Sequence, residues 1–185
     1  MKKILSIIIL GLIINSKGMA YEEANYEVVK KNETYEIRKY SDRLAIETEI
    51  SNQGSSFRKL FNYISGNNKG NRKIKMTTPV TQVEKNGSMT MQFYLPSKFK
   101  KYNTPSPSNS DIKIINIKGG YYAVIKYSGS DNTASFQRHK ILLKSHLRAE
   151  KILIISPPIR ASYNRPLTLP KLRRNEVMFK IDINL

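Results

Sequence analysis

Val177-Met-Phe-Lys-Ile-Asp-Ile183 places Val177, Phe179, Ile181 and Ile183 at every second position, with Met178, Lys180 and Asp182 between them. A period of two is that of a half-buried β-strand, because successive side chains leave opposite faces of the pleat. The same period recurs upstream at Tyr121, Ala123, Ile125 and Tyr127, and at Met89, Met91, Phe93 and Leu95. It appears again at Leu44, Ile46, Thr48 and Ile50, where Glu47 and Glu49 take the other face, expected to meet solvent. Asn86-Gly87 and Gly119-Gly120 stand between such stretches and predict hairpin turns. Strands joined that way run antiparallel, which argues against a parallel α/β architecture.

Two segments break the period. Phe57, Leu60, Phe61 and Ile64 fall at i, i+3, i+4 and i+7, one stripe of a short amphipathic helix. Ser55 or Ser56 is the expected cap, and Gly66 ends the helix. A second helix is expected from about Asn132 to Arg148, capped by Asp131 or Asn132, with Phe136, Leu143 and Leu147 inward. A polar Pro/Ser stretch, Tyr102 to Ser110, separates the halves as a loop. On each side the order is two strands, a helix, two strands, over about 26–99 and 111–183. The fold class predicted is α+β: duplicated βαββ-type halves forming a twisted antiparallel sheet or distorted barrel with two helices.

The first twenty residues read as a secretory signal peptide. Lys2 and Lys3 precede an apolar run from Ile4 to Ile14, and Gly18 and Ala20 precede an expected cleavage before Tyr21. The run is shorter than the roughly 20 residues of a membrane-spanning helix. Residues 21–185 are then a single exported domain, periplasmic or secreted, large enough to stand on its core. The chain has no Cys, which excludes a lipid-anchored cysteine, thiolate metal sites and cysteine nucleophiles. Thirty-two Lys and Arg face 14 Asp and Glu, for a net charge of +18. Three of those bases lie in the leader, which leaves +15 on residues 21–185. Such a field attracts anions of many kinds. The bases are scattered, with no motif for specific nucleic-acid binding, and read mainly as a solvated surface.

Catalytic vocabulary is sparse. His139 and His146, the two histidines, lie seven residues apart on the second helix, about 10 Å along its axis and too far to share a metal ion. The sequence carries no nucleophile elbow, phosphate-binding loop or dinucleotide fingerprint. Glu22 and Glu23 read as part of a disordered N-terminus, and Glu47 and Glu49 as exposed strand charge. The expectation is a protein that binds rather than catalyses.

Lys73-Ile-Lys-Met-Thr-Thr-Pro-Val80 is a strand bent at a proline. Together with Phe57-Arg-Lys-Leu-Phe-Asn-Tyr-Ile-Ser-Gly66, Tyr35-Glu-Ile-Arg-Lys-Tyr40, Phe93-Tyr-Leu-Pro96, Tyr163-Asn-Arg-Pro166 and Arg173-Arg-Asn-Glu-Val177, it resembles the SOUL family of haem-binding proteins. The resemblance spans essentially all of 26–183 and implies a duplicated fold akin to small-molecule effector-binding domains. It also implies binding of haem or a related tetrapyrrole, weakly and exchangeably, in an apolar groove beside the first helix. Phe57 and Phe61 take positions that are apolar in relatives lacking an axial histidine, although the same two residues fit the inward stripe of the helix. The position of the histidine proposed as iron ligand in some members is Lys39 here. Two basic positions proposed to meet the propionates fall on Gly54 and Asn62, leaving Lys39, Arg58 or Lys59 as substitutes. The iron ligand stays open among His139, His146, a Tyr and a Met.

The function expected is therefore an exported tetrapyrrole-binding carrier, buffer or scavenger, with Lys39, Phe57, Arg58 and Phe61 as candidate site residues. The alternatives are a basic interaction protein contacting anionic membrane or envelope components, and a binder of another apolar small molecule.

Overall fold

Asn86 and Gly87 both adopt positive φ, 50° and 80°, the twist that a two-residue hairpin requires. The structure, a computed structural model, describes residues 21–183, so the signal peptide expected at 1–20 lies outside the described residues. Its elements in chain order are β1 (Glu22–Glu23), β2 (Tyr26–Lys31), β3 (Glu36–Tyr40), β4 (Arg43–Glu49), α1 (Gln53–Ile64), β5 (Thr77–Thr78), β6 (Val80–Lys85) and β7 (Ser88–Tyr94). There follow β8 (Lys113–Ile117), β9 (Gly120–Tyr127), α2 (Thr133–Ala149), β10 (Leu153–Ile154), β11 (Ile159–Ser162) and β12 (Asn175–Asp182). The main sheet runs β2-β3-β9-β12-β11-β6-β7-β4-β8, antiparallel throughout, with β10 added on β12. It curls into a half-barrel with two helices, an α+β fold.

Asn86-Gly87 joins β6 to β7 as expected, but Gly119-Gly120 makes no hairpin. β9 pairs with β3 and β8 with β4, and Tyr40↔Gly120 and Arg43↔Ile117 keep one register across the corner. Residues 36–49 and 113–124 thus form a single ribbon bent at two crossing corners. The approach is close: a Cβ on Gly119 would collide with the carbonyl oxygen of Tyr40. A shift of 77 positions carries Tyr40 and Arg43 onto Ile117 and Gly120 and so exchanges the two pairs. The same shift exchanges Val83↔Ile159 with Gln82↔Arg160 in the β6–β11 pairing. The halves are related by an approximate two-fold between them.

Both helices lie on one face. Phe136, Leu143 and Leu147 of α2 pack on Ile37, Ile125 and Phe179. Leu60, Tyr63 and Ile64 of α1 pack on Ile46, Met91 and Phe93. The inward stripe of α1 therefore includes Tyr63 and leaves out Phe57 and Phe61, which are 38% and 47% exposed. Its cap is Asn52, not Ser55 or Ser56: the side-chain carbonyl accepts from the Gly54 and Ser55 backbone N–H groups. Asn52 sits far enough ahead of Ser56 for that hydroxyl to turn inward and donate to the Glu49 carbonyl.

The opposite, concave face is also covered, which corrects two further expectations. Glu47 is buried, paired with Lys85 at 2.6 Å and accepting from Gln92 at 2.6 Å, because the curl brings β6 and β7 over it. Glu22 and Glu23 are ordered: β1 runs parallel to β5, and Glu23 meets Arg174 at 2.9 Å. Deeper on this face, buried Arg38 donates to buried Glu176 at 3.1 Å. Glu176 also accepts from Tyr163 at 2.7 Å and Arg174 at 3.0 Å, so a buried charge is fully ligated. Burial pushes the nearby Tyr40 hydroxyl up to about 12.

Two outcomes follow from this architecture. Glu176→Gln removes the buried carboxylate that Arg38 and Arg174 share, leaving them the less buried Glu36 and Glu23, and urea denaturation is expected to show a loss of about 3 kcal/mol. An unchanged midpoint would contradict the network's role. Asp42 clasps the ribbon corner, accepting from Gly119 N–H at 2.9 Å, Asn116 at 3.0 Å and Lys118 at 3.1 Å. Those bonds, the Gly119 backbone first, hold its pKa at about 2, below the usual 3.8. A depressed carboxyl contributes stability that is present above 3.8 and lost as pH falls through about 2. Carboxyl NMR titration should place the Asp42 midpoint near 2, and Asp42→Asn should flatten the stability loss in that window.

Candidate functional site

Strands β6 and β7 turn Val80, Gln82 and Met91 toward the helix face, between the two helices. Val80 and Gln82 stay partly open there, while Met91 lies buried against α1. Phe57 and Gly54, in the first turns of α1, form one wall of the resulting groove. The loop from Asn164 through Pro166 and Arg173 forms the other. Asp131, Ser162 and Asn175 close the end next to α2, and the cavity measures about 510 Å³. Ligand pockets of small molecules span roughly 300–1,000 Å³ with apolar walls and few polar groups.

The electrostatics of the groove suit an anionic edge. Arg165 and Arg173 stand on the loop wall. The one carboxylate, Asp131, is engaged by the Ser162 hydroxyl and lies 3.8 Å from Arg160. Arg173 also fastens its own wall, donating to the carbonyls of Thr168 at 2.8 Å and Pro166 at 2.6 Å. Arg165 donates to the Tyr21 hydroxyl at 2.9 Å. Two other cavities of similar size are built differently. One, about 540 Å³, is lined by Glu47, Glu49 and Asp111 among lysines; the other, about 510 Å³, carries Glu22, Glu23 and Asp42. Carboxylates at those rims oppose an anionic ligand.

The sequence candidates do not all converge. Phe57 lines the groove, edge-on to Phe93 at 5.1 Å and stacked with Phe61 at 6.1 Å and 13°. Phe61 extends the apolar wall into a shallow neighbouring depression with Ile64, Lys73 and Met76. Arg58 is exposed on α1 and lines neither. Lys39 lies elsewhere: it pairs with Tyr121 on the part of the sheet beneath α2, its ammonium 5.7 Å from that ring. Gly54 is in the groove wall, whereas Asn62 is not. His139 stacks on Tyr127 at 4.0 Å and His146 lies beside Tyr35; neither lines the groove. Among the described residues no cluster of three His, Cys, Asp or Glu is arranged to hold a metal. Arg165 and Arg173 are the cations that sequence reasoning missed. Both lie in quoted motifs, but the ten-residue loop that returns them to α1 has no local signature.

This groove belongs to a recognised kind of chain. Residues 21–180 match the family described as SOUL heme-binding protein. The chain is a member of the SOUL family. It is 30% identical over 165 residues to heme-binding protein 2 of Homo sapiens, covering 82% of this chain and 79% of that protein. The counterpart of Mus musculus is 28% identical over 193 residues, covering 95% and 93%. Among solved structures, the EcmrR C-terminal domain superposes with a TM-score of 0.62 at 10% identity, over 86% of this chain and 99% of that one. A hydrolase from Listeria innocua gives 0.55 at 9% identity, over 83% and 94%. At such identities the likeness is one of fold.

Because Arg173 fastens the loop wall, Arg173→Ala is expected to free residues 165–172. Hydrogen exchange of that segment should accelerate at least about tenfold, with the global unfolding midpoint nearly unchanged, since opening is local. Exchange that matches the parent protein would show that the wall is held by other contacts.

Proposed function

We propose that this SOUL protein binds haem or a related tetrapyrrole in the groove between α1 and the Asn164–Arg173 loop, as an exported, non-catalytic carrier, buffer or scavenger. The observation that carries the reading is Phe57. A large aromatic side chain is left 38% exposed beside a cavity of about 510 Å³ with Val80, Gln82 and Met91 in its floor and arginines on its far wall. A tetrapyrrole is a flat apolar disc with carboxylates on one edge. Phe57, Val80 and Met91 suit the disc, and Arg165 and Arg173 suit the carboxylates through charge-assisted hydrogen bonds. The groove sits in a chain of the heme-binding family, and its curated relatives are named as binding proteins.

No histidine lines the groove, and of the residue types open as iron ligand it offers the buried Met91, so the disc and its carboxylate edge are expected to carry most of the binding. The bound group would supply iron chemistry; the chain's own residues orient the disc and neutralise its edge. Export rests on the leader-like residues 1–20, and a mature N-terminus at Tyr21, read by mass spectrometry, is the expected outcome.

Titration of the purified protein with haem and with iron-free protoporphyrin is expected to give saturable absorbance shifts at one equivalent for both. Binding should persist at high salt, where diffuse attraction to a basic surface is screened. Phe57→Asp is expected to weaken both by about 10- to 100-fold, the equivalent of losing one buried aromatic contact. A signal that never saturates, or that salt erases, would leave only anion collection by the +15 of residues 21–185.

A further inference from the structure

The loop that walls the groove carries more than its arginines. Asn164-Arg-Pro-Leu-Thr-Leu-Pro-Lys-Leu-Arg-Arg174 exposes Leu167 at 97%, Leu169 at 59% and Leu172 at 64%. Single exposed leucines are ordinary on protein surfaces, but three within six residues at this exposure are not. The loop is also held in shape. Arg173 clamps the Thr168 and Pro166 carbonyls, the Leu172 N–H donates to Leu169, the Gly129 N–H donates to Pro170, and Asn164 accepts from the Arg174 N–H. The leucines are therefore presented by a braced scaffold. The stretch contains four bases and no carboxylate; the next acid along the chain, Glu176, is buried. Of the four bases, Arg174 pairs with Glu23 and Glu176, while Arg165, Lys171 and Arg173 form no ion pair among the described residues.

We propose that this loop docks the protein on an anionic phospholipid surface, with Leu167 and Leu169 entering the boundary between headgroups and acyl chains. Lys171 meets the lipid phosphates, joined by Arg165 when the groove is empty. Apolar side chains at the tip and cations at the flanks are the two components of interfacial binding, and each cation near a charged bilayer adds to the affinity. The absence of carboxylates favours lipid over a protein partner that would need charges of both signs, and it disfavours a second copy of this basic chain. The loop is one wall of the groove, so docking brings the groove's mouth to the membrane, where an apolar ligand partitions. That consequence rests on the proposed function; docking itself does not require a bound ligand.

The protein has no Trp, so Leu167→Trp provides a single reporter. Tyr102→Trp, at a position 88% exposed on the interhalf loop, is the control. With vesicles of equal parts phosphatidylcholine and phosphatidylglycerol, Leu167→Trp emission is expected to shift to the blue while Tyr102→Trp stays unchanged. Leu167→Asp with Leu169→Asp should lower co-sedimentation at least about tenfold with the thermal midpoint preserved, and pure phosphatidylcholine should not bind. Equal binding by the double-Asp variant would overturn the proposal in favour of the general charge. So would concentration-dependent dimerisation in the absence of lipid that the same variant abolishes.

Discussion

The crossing of two chain corners at Gly119 and Tyr40 constrains everything built around it. Because no side chain can stand between them, residues 36–49 and 113–124 hold one register through the bend. The ribbon can then serve both ends of the sheet, and the halves face one another across an approximate two-fold. Both helices fall on the same side, and the strip of β6 and β7 between them is left for a ligand. Asp42 holds this corner with three hydrogen bonds made at the surface. At the far side of the sheet, Glu176 ties β3, β12 and the segment after β11 into one ligated charge.

The two faces of the sheet do different work. On the concave side, the protein's own cations occupy the aromatic surfaces: Arg43 lies 4.3 Å from the Tyr40 ring centre and 4.5 Å from that of Tyr94, and Arg38 lies 4.3 Å from that of Tyr26. β1 pairs with β5 nearby, and Glu23 and Ala24 border the same small gap as Tyr40, Arg43 and Tyr94. On the helix side, Phe57 packs against Phe93 and Phe61 and lines the groove with surface left exposed. An apolar surface left open next to guanidinium groups is where a flat ligand with an anionic edge gains most. The concave side offers the mutually paired Arg38 and Glu176 instead, with Arg43 held against tyrosine rings.

Much of this was legible in residue order. Alternation located the strands at 44–50, 89–95, 121–127 and 177–183, and Asn132 to Arg148 read correctly as a capped helix, since these signals are local. The pairing of those strands was not legible. Gly119-Gly120 has the composition of a hairpin turn, yet tertiary crossing gives it another use. Glu47 has the period of an exposed charge but is enclosed by the curl of β6 and β7. Phe57 was singled out by its resemblance to an apolar position of relatives, although its helical spacing also fitted the core, and it lines the groove. Lys39 fitted a position along the chain and lies under the wrong helix. Arg165 and Arg173 gain their meaning only when a loop returns to face α1 across the groove, which no period records.

The most direct measurement is an amide chemical-shift map of the protein titrated with iron-free protoporphyrin, whose ring current marks nearby backbone. Binding in the groove predicts the largest shifts at Gly54, Phe57, Val80, Met91, Arg165 and Arg173, with Lys39 and His139 unaffected. Shifts centred instead on Tyr40, Arg43 and Tyr94 would place the ligand on the concave face and contradict the account.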